Sequence, residues 1–161
     1  MKMEIVHTNE MTSFVGIRAH SIMANLGEAT NLAFEELIRR RNEIQNILDQ
    51  EITYGISPPN YKGNQGPVDF YCCYEVKPLA SLPHGMVHIH MPPRMYSVTY
   101  YKGPASRTES AYNFTTNWLR ENGYEYDDVS YYFERYDQQT IIENDDPGNE
   151  VKIYCPIKKK G

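Results

Sequence analysis

The run Ser130-Tyr131-Tyr132-Phe133-Glu134-Arg135-Tyr136-Asp137 sets one acid, Glu134, among aromatic residues that otherwise read as a strand. In a strand alternate side chains share a face, so Tyr132, Glu134 and Tyr136 point one way and Tyr131, Phe133 and Arg135 the other. Glu134 therefore stands between two phenols. A carboxylate in apolar surroundings is costly unless it is paired, protonated, solvated or meets a cation. Aromatic rings beside a carboxylate suit a flat organic cation, through stacking and cation–π attraction. The competing reading is a strand edge with Glu134 in water or paired with a neighbouring Lys or Arg.

Two other groupings have the residue types for chemistry. His84, His88 and His90 offer imidazoles, and the last two share a strand face, which suits zinc or copper. No acid or thiol adjoins them in sequence, so exposed or hydrogen-bonded histidines are the simpler expectation, and no metal or other cofactor is expected. Cys72, Cys73 and Cys155 are odd in number, and the adjacent pair would point to opposite faces, so free buried thiols are expected rather than a disulfide framework.

The elements that must position these residues follow from periodicity. Glu4 to His20 reads as one or two strands. Leu26 to about Asp49 carries Leu26, Ala29, Ala33, Leu37, Ile44 and Leu48 at helical spacing opposite a charged face, an amphipathic helix. Strands at Ile52–Ile56 and Asp69–Val76 follow, the second with Phe70, Cys72, Tyr74 and Val76 on one face, and Met86 to Met91 is a further run. The pattern then restarts: a strand at Met95–Tyr101, a helix at Ala105–Asn122 stopped by Gly123, strands at Ser130–Tyr136 and Val151–Ile157, and a hairpin turn at Asn144–Asn149. Each half reads strand, helix, strand, strand, with halves of about 1–90 and 91–161. The expected fold is α+β: duplicated modules pairing into one antiparallel sheet, two helices on one side, and a central groove on the uncovered face. The two parities of Glu134, into that groove or against the helices, stay open.

Composition bounds the function. The chain has 161 residues, 40% of them hydrophobic, a net charge of -5 and 14 tyrosines. One domain spanning 1–161 with a genuine core is expected. Without a basic stripe, neither direct nucleic-acid binding nor a membrane surface is indicated; Lys158, Lys159 and Lys160 form only a short tail. No apolar run reaches the roughly 20 residues that span a bilayer, and there is no signal-peptide stretch, so a cytoplasmic location is expected.

The second half resembles the GyrI-like small-molecule effector-binding domain, which also forms the C-terminal part of many AraC-type and some MerR-type transcription regulators. The resemblance is carried by Tyr96 to Gly103, Ala111-Tyr112 with Trp118-Leu119, Gly123, Phe133-Glu134-Arg135-Tyr136, and Glu150 to Ile157. Phe14 to Ile17, Tyr54-Gly55-Ile56 and Phe70 to Val76 fit more loosely in the first half. The resemblance implies a pseudo-two-fold groove for hydrophobic, often cationic or aromatic small molecules, with Glu134 as the pocket carboxylate. Trp118 and Tyr154 carry over as pocket walls, Tyr74 as a weaker fourth residue, and Tyr136 flanks the acid. A tryptophan on an apolar helix stripe is also an ordinary core residue. Because the domain pattern begins almost at Met1, no helix-turn-helix reader is expected ahead of it, and the chain resembles the branch whose members bind ligands, partner other proteins or hydrolyse reactive cyclopropane-bearing compounds.

Three functions compete. A binding module needs only the charge of Glu134 and ring area, and would act as a sensor, sequestering or regulatory protein, with a separate regulator as a possible partner. A hydrolase would use Glu134 as general base on water with a tyrosine as acid; Glu75, a candidate second carboxylate, shares no face with Tyr74. An inhibitor of another macromolecule would need a surface that the sequence does not identify.

Overall fold

The computed structural model describes residues 1–59, 66–77, 81–104, 107–137 and 148–161. Among them the strands are β1 (Lys2–His7), β2 (Thr12–Ser21), β3 (Ile52–Ser57), β4 (Val68–Val76), β5 (Val87–Met91), β6 (Met95–Lys102), β7 (Tyr124–Tyr126), β8 (Tyr132–Asp137) and β9 (Glu150–Lys159). The helices are α1 (Leu26–Arg39) and α2 (Glu109–Glu121). The strands join in the order β1-β6-β9-β8-β3-β4-β2-β5, with β7 added on β9, and every described pairing is antiparallel. The fold is α+β, as the patterning indicates.

The duplication is visible in that order. The set β2-β4-β3 of the first half mirrors β6-β9-β8 of the second, and β3 meets β8 at the centre, where Gly55 stands opposite Glu134. The outer strands β1 and β5 extend each half by one. The proposed hairpin turn at 144–149 lies mostly outside the described residues.

Both helices share one core on one sheet face. Ala33, Phe34 and Leu37 of α1 and Ala111 of α2 pack with Val15, Ile17, Cys72, Tyr74, Tyr101, Tyr136, Ile153 and Cys155. α2 is seated by Ala111, Thr115 and Leu119, spaced four apart on one stripe. The Thr115 and Thr99 hydroxyls share a 2.5 Å hydrogen bond with both residues fully buried, tying α2 to β6. Gly123, at φ 80, supplies the left-handed residue that ends α2.

Two expectations are corrected. The first helix ends at Arg39, about ten residues early. The Arg40 guanidinium donates to both Glu43 carboxylate oxygens at 2.9 Å and to the His84 carbonyl at 2.8 Å, fixing a tight turn. Beyond it Asn46 has φ 62, Ile47 bridges to Val76, and the Leu48 N–H donates to Glu75 O. Ile44 is buried as its spacing suggests, but in extended backbone.

The second correction concerns the place of the central groove: on the uncovered face the described residues leave a smaller pocket of about 200 Å³, toward the β6–β9–β8 end by Tyr100, Arg135 and Lys152. Phe14 and Phe133 are three strand positions apart, about 14 Å in a flat sheet, yet their ring centroids lie 5.9 Å apart. Tyr96 reaches Phe133 at 5.4 Å from two positions away. The sheet coils so that this face closes on its own side chains, burying Phe14, Tyr54, Ile56, Ile89, Met91 and Tyr96.

Candidate functional site

The larger of two described open spaces lies on the helix side. A cleft of about 710 Å³ is lined by Met23 before α1, Ser57 at the end of β3 and Pro58 after it, Phe70 of β4, Thr108, Glu109, Tyr112, Asn113 and Thr116 at the α2 side, Asp128, and Tyr132 and Glu134 of β8. Its size is that of a site for a drug-sized molecule.

The period-two pattern of β8 places its residues as expected, with Phe133 in the opposite-face cluster and Tyr136 in the helix-side core. Glu134 consequently points to the helix side, toward α2. The Tyr112 hydroxyl donates to Glu134 Oε2 and the Tyr136 hydroxyl to Oε1, both at 2.6 Å. Burial pushes both phenols well above the usual tyrosine range, and the negative charge of Glu134 pushes them further, so they remain protonated donors at neutral pH. Each carboxylate oxygen thus accepts a short charge-assisted bond from a neutral group. Among the described residues, no basic side chain forms an ion pair with Glu134.

Gly55 makes this arrangement fit. A Cβ there would lie 2.5 Å from Phe70 Cζ and 3.1 Å from the Tyr136 hydroxyl oxygen, so its absence leaves space for the ring that forms one cleft wall and for the phenol that holds Glu134.

A second carboxylate is held on the same wall. The Tyr132 hydroxyl donates to Asp128 Oδ1 at 2.6 Å, and Arg94 pairs with the adjacent Asp127 at 2.5 Å, anchoring the turn between β7 and β8. Glu109, the first residue of α2, lines the cleft too. The described lining holds three acids and no Lys or Arg.

The residues singled out from sequence do not form one wall. Glu134 lines the cleft and Tyr136 supports it from the core. Trp118 stacks on Tyr124 at 5.8 Å and does not line the cleft. Tyr154 is on the opposite face, stacked on Phe133 at 4.4 Å and 11°. Tyr74 is fully buried under α1. Glu75 accepts from the Tyr54 hydroxyl at 3.0 Å, and Tyr54 belongs to the opposite-face cluster, so this acid is remote from Glu134. The His88 and His90 rings are 4.0 Å apart, and no cluster of three potential metal ligands occurs among the described residues.

Tyr112, Phe70 and Asp128 were not marked as site residues by sequence. Tyr112 sits one position past the buried Ala111, and that step of about 100° around the helix swings its side chain toward β8. Nothing in the sequence alone marks Asp128, whose place depends on the turn held by Arg94.

Residues 1–158 match the GyrI-like small molecule binding domain, and the chain belongs to that family. Transcriptional regulator BrlR of Pseudomonas aeruginosa is 32% identical over 134 residues, which cover 81% of this chain and 47% of BrlR. The chain thus spans about half the length of this curated relative. Among solved structures, SAV2435 bound to tetraphenylphosphonium superposes with a TM-score of 0.72 at 13% identity, covering 98% of this chain and 94% of that one. A hydrolase from Listeria innocua superposes with a TM-score of 0.65 at 10% identity, covering 98% and 92%. At these identities the two structures speak for the fold alone. No helix among the described residues is long and apolar enough to cross a membrane.

Proposed function

We propose that the cleft binds hydrophobic aromatic cations, with Glu134 as counter-charge, and that the protein acts as a sensor or sequestering protein for such compounds. One observation carries the reading: a half-buried carboxylate, held on both oxygens by neutral phenols and, among the described residues, by no cation, in a cleft whose described lining holds three acids and no base. A structural ion pair would have placed a Lys or Arg against it. Two phenols instead hold the carboxylate in place while leaving its negative charge in full, and Phe70, Tyr112 and Tyr132 offer ring surface around it. The tetraphenylphosphonium complex of SAV2435, which shares the fold, is consistent with this ligand class.

Calorimetric titration with tetraphenylphosphonium and with tetraphenylborate, nearly equal in shape and opposite in charge, tests the reading. Saturable binding of the cation and none of the anion is expected; equal binding of both would overturn it.

A hydrolytic reading has one observation in its favour, the Tyr112 phenol as a proton donor beside a carboxylate. Each Glu134 oxygen accepts one phenol bond and keeps a second lone pair that could take a proton from water. Product analysis of the titrated mixtures distinguishes turnover from binding.

A further inference from the structure

The three cleft acids are not equivalent, and their placement bears on which cations fit. Glu134 is half-buried, whereas Asp128 and Glu109 are exposed at the rim. None of the three forms an ion pair among the described residues. Glu109 is the first residue of α2, where the positive end of the helix offsets part of its charge. Asp128 has no such offset. Its carboxylate is fixed by the Tyr132 phenol at 2.6 Å, and Tyr132 lies two residues from Glu134 on the same face of β8, one strand step of about 7 Å. Two carboxylates are therefore held along a single aromatic wall, one deep and one at the mouth.

We propose that the cleft prefers flat aromatic dications to monocations of the same shape, with Glu134 anchoring one cationic centre and Asp128 the other. The inference rests on the reading of the cleft as a cation site. A monocation at Glu134 leaves Asp128 uncompensated at the rim; a second centre across the ring system neutralises it without further loss of ligand freedom. Because Asp128 is exposed, that advantage is screened by salt, while the Glu134 contribution is screened less.

The test pairs methyl viologen, a bipyridinium dication, with N-methyl-4-phenylpyridinium, a monocation of closely similar outline, and uses tetraphenylphosphonium as reference. Calorimetry at low ionic strength is expected to give the dication at least a tenfold advantage. Asp128→Asn, which keeps an acceptor for Tyr132, reduces that ratio to about twofold or less and changes tetraphenylphosphonium affinity less than twofold. Glu51→Gln, an exposed acid outside the lining, leaves the ratio intact and so controls for net charge. A dication no tighter than the monocation, or a ratio that survives Asp128→Asn, overturns the proposal while the cation-site reading stands on the reference ligand. If tetraphenylphosphonium and both pyridinium compounds all fail to bind, both readings fall.

Discussion

The Tyr112 phenol, carried by α2, meets Glu134 Oε2, carried by β8, at 2.6 Å across the gap between helix and sheet. This bond connects the two parts of the molecule that frame the cleft. With Tyr136 on the other oxygen, it holds the carboxylate where period two aims it, toward the helices. Anything that moves α2 relative to β8 therefore moves a wall of the cleft together with one of the two donors that orient its charge.

The seat of α2 is the first place to test this. Thr115→Val leaves the Thr99 hydroxyl buried without its partner, at a cost of about 1–3 kcal/mol. Chemical denaturation is expected to show that loss with an unchanged slope, and ligand affinity is expected to fall with it because Tyr112 rides on the same helix.

Gly55→Ala is expected to damage the site through sterics alone. The new methyl would overlap the Phe70 ring, and overpacking of this kind costs about 1–3 kcal/mol. Phe70 has to move into the cleft, so weaker tetraphenylphosphonium binding should accompany a lower unfolding midpoint. Gly27→Ala, where a Cβ meets nothing within 4 Å, is the matching control.

Two rings outside the described cleft lining give a contrast. Tyr154→Phe and Trp118→Phe alter side chains outside the described cleft lining, and affinity for tetraphenylphosphonium is expected to stay within twofold of native in each. A large loss in either variant would place the binding site elsewhere.

Alkaline pH should act on stability before it acts on the site. Tyr112 and Tyr136 are held well above the usual range and Tyr126 is raised to about 12, in each case first by burial. A raised folded value means that the folded state keeps its proton after the unfolded chain, near pH 10, has released it. The resulting stability is complete below about pH 10 and is lost as pH rises from there through 12 and beyond. Absorbance at the phenolate band should show these tyrosines ionising only as the protein unfolds, with ligand binding flat between pH 7 and 9.

Much of the fold was legible in the sequence because its halves repeat one hydrophobic pattern. The strands around Met95, Phe133 and Val151 and the helix ending at Gly123 follow from period and punctuation. The early end of α1 was not legible: Ile44 keeps helical spacing and is buried, but the Arg40–Glu43 turn and the left-handed Asn46 put it in extended chain. The coiling of the sheet was equally hidden. It depends on rings from β2, β6 and β8 converging over long sequence separations, and it leaves the larger described cleft on the helix side. Glu134 and its neighbouring tyrosines could be picked out because a lone acid in an aromatic strand is unusual. Trp118 and Tyr154 came with the family resemblance, and here they stack on Tyr124 and Phe133 away from the cleft.

The central claim is that the charge of Glu134 binds the ligand. Glu134→Gln keeps the side-chain size and an oxygen acceptor while removing the negative charge, so tetraphenylphosphonium affinity of native and variant protein, measured by calorimetry in the same low-salt buffer, isolates that charge. At least a tenfold loss in the variant, with circular dichroism unchanged, is the result expected. Equal affinity would contradict the account and make Glu134 a structural acceptor for Tyr112 and Tyr136.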